Sequence, residues 1–202
     1  MKLRVPLVLA SASPRRHQLL SRIGMTFIVE PSDADETPPA GVPPPEIAEI
    51  LARRKAEAVA SRHPESLTLG ADTIVILDDS ILDKPSTPDE ARETLRRLAG
   101  QTHTVFTGIA LIQPSSSRAV TAHEATRVTF AQMYDDEIDA YVRTGSPMDK
   151  AGAYGIQDDR GALFIEGIEG DYYNVVGLPL HRLYEMLKAH FSDLLPPDYL
   201  MS

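Results

Sequence analysis

Ser11-Ala12-Ser13-Pro14-Arg15-Arg16 carries the first chemical signal in this chain of 202 residues. The two arginines fall in the opening turn of an expected helix, against the positive end of its dipole, which is mildly destabilising when nothing is bound. A phosphate would reverse the sign, because backbone N–H groups, serine hydroxyls and two guanidinium forks would converge on its oxygens. Two solvated surface arginines explain the same residues without a ligand. The second signal is Asp72, which interrupts the apolar run Leu69-Gly70-Ala71-Asp72-Thr73-Ile74-Val75-Ile76. Ionised carboxylates are rarely buried unpartnered, so Asp72 needs a metal, a cation or a proton. Held on a rigid strand, it would bind a metal or take a proton from water. A bulge at Gly70 that lets Asp72 reach solvent is the alternative.

Lys55 lies four residues from both Leu51 and Val59, on the flank of a helical apolar stripe, and Lys84-Pro85 follows a strand. Either lysine could join a phosphate site or simply extend its ammonium to water. Asp33, Asp35 and Glu36 form an acidic cluster that suits a solvated loop or supplies hard oxygen ligands to magnesium or manganese. Ala151-Gly152-Ala153-Tyr154-Gly155-Ile156-Gln157 is small and flexible and ends in an amide that could pair with a nucleobase edge while Tyr154 stacks. A glycine turn between strands accounts for the same composition. The six histidines show no paired metal-ligand spacing, and neither GxGxxG nor GxxxxGK[ST] occurs, which weighs against zinc hydrolases, dinucleotide folds and P-loops.

Composition narrows the field. Twenty basic against 29 acidic residues give a net charge of −9, which repels a phosphate backbone, so a general nucleic-acid binder is disfavoured. With no cysteine there is no disulfide framework, thiolate metal site or cysteine nucleophile, and the nucleophile must be water, hydroxyl or carboxylate. The short apolar run before Ser11 is too brief for a signal core or a membrane span, so the expectation is a cytoplasmic protein with no membrane partner.

The elements that must position these residues follow from local chemistry. Residues 5–10 read as a strand, with Ser13 as helix N-cap, Pro14 at the first helical position and Gly24 as the left-handed stop. Residues 27–29 give a short strand, and the proline run 38–45 an extended connector that could strap one lobe to another. A helix is expected over 46–62, with Ile47, Ile50, Leu51 and Ala58 on one stripe. Residues 67–77 read as a buried strand turning at Asp78-Asp79-Ser80 into a short partner at Ile81 and Leu82. Thr87-Pro88-Asp89-Glu90 has the capping-box pattern of a helix that ends at Gly100. Strands at 104–112 and 119–130, a helix at 135–144, a strand at 162–165 and a closing helix at 179–191 complete a mixed α/β order.

Taken together, Ser11-Ala12-Ser13-Pro14-Arg15-Arg16, Gly70-Ala71-Asp72-Thr73, Lys84-Pro85, Thr107-Gly108, Lys150-Ala151-Gly152-Ala153-Tyr154-Gly155-Ile156-Gln157 and Val175-Val176-Gly177-Leu178-Pro179 resemble the Maf family, from about residue 7 to 187. The resemblance implies a single domain over 1–202: an α/β fold with an elongated mixed sheet, flanking helices and two lobes around a cleft, similar to the inosine triphosphatase fold. It implies a nucleoside triphosphate pyrophosphatase. SPRR, ADT and GIQ look like the branch acting on dTTP and UTP, with CTP or modified pyrimidine nucleotides as further substrates. The sister branch, which prefers 7-methyl-GTP, typically carries tryptophan in place of the first arginine, SDQ for ADT and no GIQ. Asp158-Asp159-Arg160 and the long proline connector depart from the usual family pattern.

Carried over by position, the resemblance implies that Asp72 is the proton acceptor and that Arg15, Thr73 and Gln157 govern substrate choice. It places Ser13, Arg16, Lys55 and Lys84 along the substrate cleft, and it assigns a divalent cation, Mg²⁺ or Mn²⁺, to Glu36 and Asp72. A homodimer is a family-level expectation. A nucleotide-sensing regulator of cell division and septum formation, binding without turnover, would use the same cationic groups. A phosphatase acting on sugar phosphates or monophosphates would instead release orthophosphate.

Overall fold

The computed structural model describes residues 2–157 and 160–197. Asp158 and Asp159, in the segment that departs from the family pattern, lie outside the described residues. The elements run β1 (Leu7–Leu9), α1 (Pro14–Arg22), β2 (Ile28–Val29), α2 (Pro44–Ala60), β3 (Leu67–Leu77), β4 (Ser80–Ile81), α3 (Pro88–Leu98), β5 (Thr102–Gln113), β6 (Arg118–Phe130), α4 (Asp135–Val142), β7 (Ile165–Glu169), α5 (Tyr172–Val176) and α6 (Leu180–His190). The strands form one seven-stranded sheet in the order β2-β1-β3-β5-β6-β7, with β4 paired to β3. β1 is parallel to β2 and β3, while β3 with β4 and β6 with β7 are antiparallel. The sheet is therefore mixed, as an α/β chain of this element order requires.

Local chemistry explains most boundaries. Pro14 begins α1 after Ser13, and Gly24 follows its end at φ 70°. Asp78 and Asp79 both take positive φ, 47° and 60°, giving the two-residue turn whose twist suits a tight hairpin. The Thr87 hydroxyl accepts the Glu90 amide at 3.2 Å. The Glu90 carboxylate reaches one residue beyond the expected box, accepting the Ser86 amide at 2.7 Å.

Two expectations are corrected. Residues 38–45 are not an extended connector to their end, because Pro44 and Pro45 are the first two residues of α2. Proline fits there because first-turn amides have no helical acceptor. The second correction lies at 162–165, where Gly161–Phe164 forms a 3₁₀ turn and β7 begins only at Ile165. An apolar run this short does not fix its own period, and the partner strand β6 decides where pairing starts. Helix α5 carried no sequence expectation.

The chain divides into two compact units, one made of residues 1–72, 107–124 and 177–202 and the other of 73–106 and 125–176. Residues 38–45 lie wholly in the first unit. In the first unit, α2 lies against the sheet through Ala52, Ala56 and Ala60, packed with Ala110 and Ile112. In the second, α3 and α4 pack Leu95, Leu98, Ile138 and Tyr141 with Val105, Val128 and Phe130 of the strands. Among the described residues, no helix is long and apolar enough to cross a membrane.

Candidate functional site

The first unit holds most of the expected site residues. The loop after β1 is tied down at once, because the Ala10 amide donates to the Leu69 carbonyl at 2.8 Å. The Ser11 hydroxyl then accepts the Ser13 amide at 3.2 Å and Arg16 Nη1 at 3.1 Å. Arg16 Nε donates to the Gly177 carbonyl at 2.8 Å, which locks the start of α1 to the segment before α6. Arg16 is buried. Burial draws its guanidinium below its ordinary pKa, the Asp72 carboxylate pulls it back up, Arg15 lowers it and Glu36 raises it. Four charges therefore share one electrostatic neighbourhood. Ser13 occupies the N-cap position without a side-chain cap bond, and Arg15 is half-buried beside it in the first turn.

Helix α2 supplies the lysine. A Cβ added at Gly70 would lie 2.2 Å from the Ala52 carbonyl oxygen, and one at Gly108 would lie 2.1 Å from that of Ala48. The two glycines thus let the helix backbone approach the strands closely, with small alanines on its facing side. Gly70 serves close approach, and the alternative in which it makes a bulge that frees Asp72 to solvent is overturned: Asp72 is only 7% exposed.

Lys55 lies within the buried face formed by Ile47, Ala48, Leu51, Ala52, Ala56, Val59 and Ala60, rather than on its flank. Large residues dominate a sequence-derived stripe, whereas here alanine packing sets the real face, and Ala58 is only half-buried. The Lys55 ammonium donates to Asp72 Oδ1 at 2.6 Å and lies 3.1 Å from Glu36 Oε1. Residues Gly70 and Asp72 stand two apart on β3, so both face the helix that carries the lysine.

Glu36 reaches this point from a braced loop. Asp35 Oδ1 accepts the Thr37 amide at 2.9 Å, and Arg54 of α2 donates to the Thr37 carbonyl at 2.9 Å. Hydrogen bonds from the Thr37 hydroxyl and amide hold the Asp35 carboxyl below its ordinary pKa. Asp33 is exposed. Glu36 and Asp72 together present hard oxygens to one positive centre, which is the donor chemistry magnesium takes from proteins when substrate phosphates and water complete its shell. Among the described residues, no group of three or more His, Cys, Asp or Glu side chains forms a fuller metal cage.

The remaining expected residues belong to the second unit. Thr73 is half-buried on β3, and Lys84 is exposed just after β4. The Gly152 amide donates to the Leu82 and Asp83 carbonyls at 3.1 and 3.3 Å, which brings the Ala151–Ala153 turn beside the Lys84 loop. Gln157 is exposed in the turn that follows. Tyr154 does not offer a stacking surface. It is 5% exposed, bonds His103 Nε2 at 2.7 Å and meets Phe130 edge to face at 4.8 Å. His63 pairs with Glu30, and His123 Nδ1 with Glu49 at 2.6 Å.

Sequence reasoning passed over Ser11 and the Gly177 carbonyl as partners of Arg16, and Gly70 with Gly108 as the bed of α2. The glycines were legible as breaks in apolar strands. The Gly177 carbonyl had no sequence signal, being a backbone acceptor 161 residues away.

The profile of the family described as Maf-like protein matches residues 6–190. A dTTP/UTP pyrophosphatase of Salinibacter ruber is 53% identical over 195 residues, spanning 96% of this chain and 96% of its own. One from Pelotomaculum thermopropionicum is 52% identical over 189 residues, 94% of this chain and 98% of its own. Among solved structures, a HAM1 protein from Coxiella burnetii aligns with a TM-score of 0.50 and 16% identity over 91% of this chain and 98% of its own, a likeness of fold alone.

Proposed function

The chain belongs to the Maf-like protein family, and from that premise we propose that it is a nucleoside triphosphate pyrophosphatase acting on dTTP and UTP. It hydrolyses the anhydride between the α and β phosphates, giving the monophosphate and pyrophosphate. The observation that carries this reading is the buried Asp72 carboxylate, gripped by Lys55 on a rigid strand and sharing its neighbourhood with Arg16.

Lys55 fixes one oxygen of Asp72, and the other takes the proton as a water attacks phosphorus. Arg16, held by Ser11 and Gly177, and Arg15 beside it present guanidinium charge to the phosphates without having to reorganise. The Ser13 hydroxyl donates to a phosphate oxygen, and Lys84 neutralises charge that develops on the departing pyrophosphate. Thr73 and Gln157 read the base, the amide offering one donor and one acceptor group to its edge. Glu36 and Asp72 would hold Mg²⁺ or Mn²⁺, which supplies Lewis acidity at the phosphoryl group when bound.

The test is product analysis with dTTP, UTP, CTP, GTP and 7-methyl-GTP in the presence of either metal. Wild type is expected to release pyrophosphate from dTTP and UTP, and Asp72→Asn to lose about two to four orders of magnitude in kcat. Orthophosphate as the product would replace this reading with a phosphatase. Tight triphosphate binding without turnover would leave a nucleotide-sensing regulator.

A further inference from the structure

In the second unit, Gly152, Ala153, Tyr154 and Gly155, just ahead of Gln157, are each held by a different contact. Gly152 and Ala153 take consecutive left-handed conformations, φ 71° and 59°, a bend that is strained at the alanine. The Gly152 amide is bonded to the Leu82 and Asp83 carbonyls, and the Ala153 amide to that of Lys150. The Tyr154 hydroxyl meets His103 Nε2 at 2.7 Å, and the Gly155 amide donates to the Tyr141 hydroxyl at 3.3 Å. A Cβ at Gly161 would lie 2.5 Å from the Gly155 carbonyl oxygen, so the chain is pressed from that side as well.

His103 is the unexpected member. It is 2% exposed and its Nδ1 has no hydrogen-bond partner. Stability alone does not favour a polar ring there, since burying an unbonded nitrogen is unfavourable and a phenyl ring would fill similar space. What the imidazole adds is a hydrogen bond that fixes the rotation of Tyr154, and with it the backbone that carries Gly155, Ile156 and Gln157. A strained bend persists only when its surroundings over-determine it, and such over-determination holds functional groups in place.

We propose that this bend is the positioning device for the Gln157 amide, and that His103 and Tyr154, which touch no substrate, are positioning residues for base selection. The inference rests on the pyrophosphatase reading given above. UTP and CTP test it directly, because their bases differ in the donor and acceptor pattern of one edge, which is what an amide reads.

The experiment compares kcat and KM for UTP and CTP in wild type, Tyr154→Phe, His103→Phe and His103→Gln, with melting temperatures recorded alongside. Tyr154→Phe removes one hydroxyl and keeps the ring, so it carries the test if His103→Phe does not fold. The preference for UTP over CTP, taken as the ratio of kcat/KM, is expected to fall about fivefold in both phenylalanine variants, the worth of one hydrogen bond. The change should appear in KM for UTP with kcat within about twofold, and His103→Gln, which retains a hydrogen-bonding side chain, should recover part of it. A folded, active Tyr154→Phe with an unmoved preference overturns the inference, as does an equal fall in kcat for both substrates. A wild type that turns over UTP and CTP alike overturns it too, while leaving the pyrophosphatase reading intact. A wild type inert towards every triphosphate overturns that reading and the inference with it.

Discussion

Replacing Gly70 by alanine probes the link between packing and chemistry at the point where both are tightest. The new Cβ would stand 2.2 Å from the Ala52 carbonyl oxygen, 2.8 Å from the Ala56 amide nitrogen and 2.9 Å from the Ala56 Cβ. All three belong to α2, two of them to its backbone, so no side-chain rotation relieves the overlap. To regain ordinary contact the helix must lift by about 1 Å, since non-bonded heavy atoms prefer separations near 3.5 Å. Overpacking of this kind costs about 2 to 3 kcal/mol, which for a chain of this length lowers the melting temperature by about 5 to 10 °C. Lys55 rides on the same helix between Ala52 and Ala56, so its ammonium withdraws from Asp72 by a similar distance, starting from 2.6 Å. A displacement of about 1 Å at a catalytic group can lower turnover about a hundredfold. Gly167→Ala is the control, because nothing lies within 4 Å of a Cβ there. Thermal denaturation and dTTP turnover of the two variants decide the matter. A Gly70→Ala protein that melts with wild type and keeps its kcat would refute both the close approach and its catalytic consequence.

Two further outcomes follow from buried polar groups. Lys55→Met leaves the Asp72 carboxylate buried without its ammonium, which destabilises by about 3 kcal/mol in urea titrations at neutral pH; a change under about 1 kcal/mol would contradict the pairing. Burial holds His103 at a pKa of about 4, down from 6.5. The unfolded chain therefore binds a proton there first, and stability present above pH 6.5 is lost progressively as the pH falls towards 4. Between pH 7 and pH 5 this contribution amounts to about 2 kcal/mol, and His103→Gln should lose that much less than wild type over the same interval. Equal losses in the two proteins would show that His103 does not titrate as a buried neutral ring.

Much of the fold was legible because it is written in backbone chemistry that acts over a few residues. Pro14 and Gly24 bracket α1, the paired aspartates turn β3 into β4, and Thr87 with Glu90 opens α3, all as local rules require. Asp72 and Arg15 stood out for the same reason, each a charged group in a place that local structure alone does not favour, and Gln157 stood out as the amide that ends a small, flexible segment. The order of the motifs added the family, which the comparisons bear out.

Tertiary structure decided the rest. A helical stripe drawn from large apolar residues put Lys55 on a flank, and packing on Gly70 and Gly108 moved it into the buried face beside Asp72. Stacking on a base was one of two readings open for Tyr154 until His103 and Phe130, far along the chain, enclosed it. The acidic cluster read as one group, but the Lys55 ammonium pairs with Glu36 while Arg54 faces Asp35. In each case the deciding partner lies some 17 residues or more away in the chain, as Lys55 does from Asp72. Propensity and periodicity register only neighbours a few positions apart, so they named the groups able to do chemistry, while contacts between distant segments chose which of them meet.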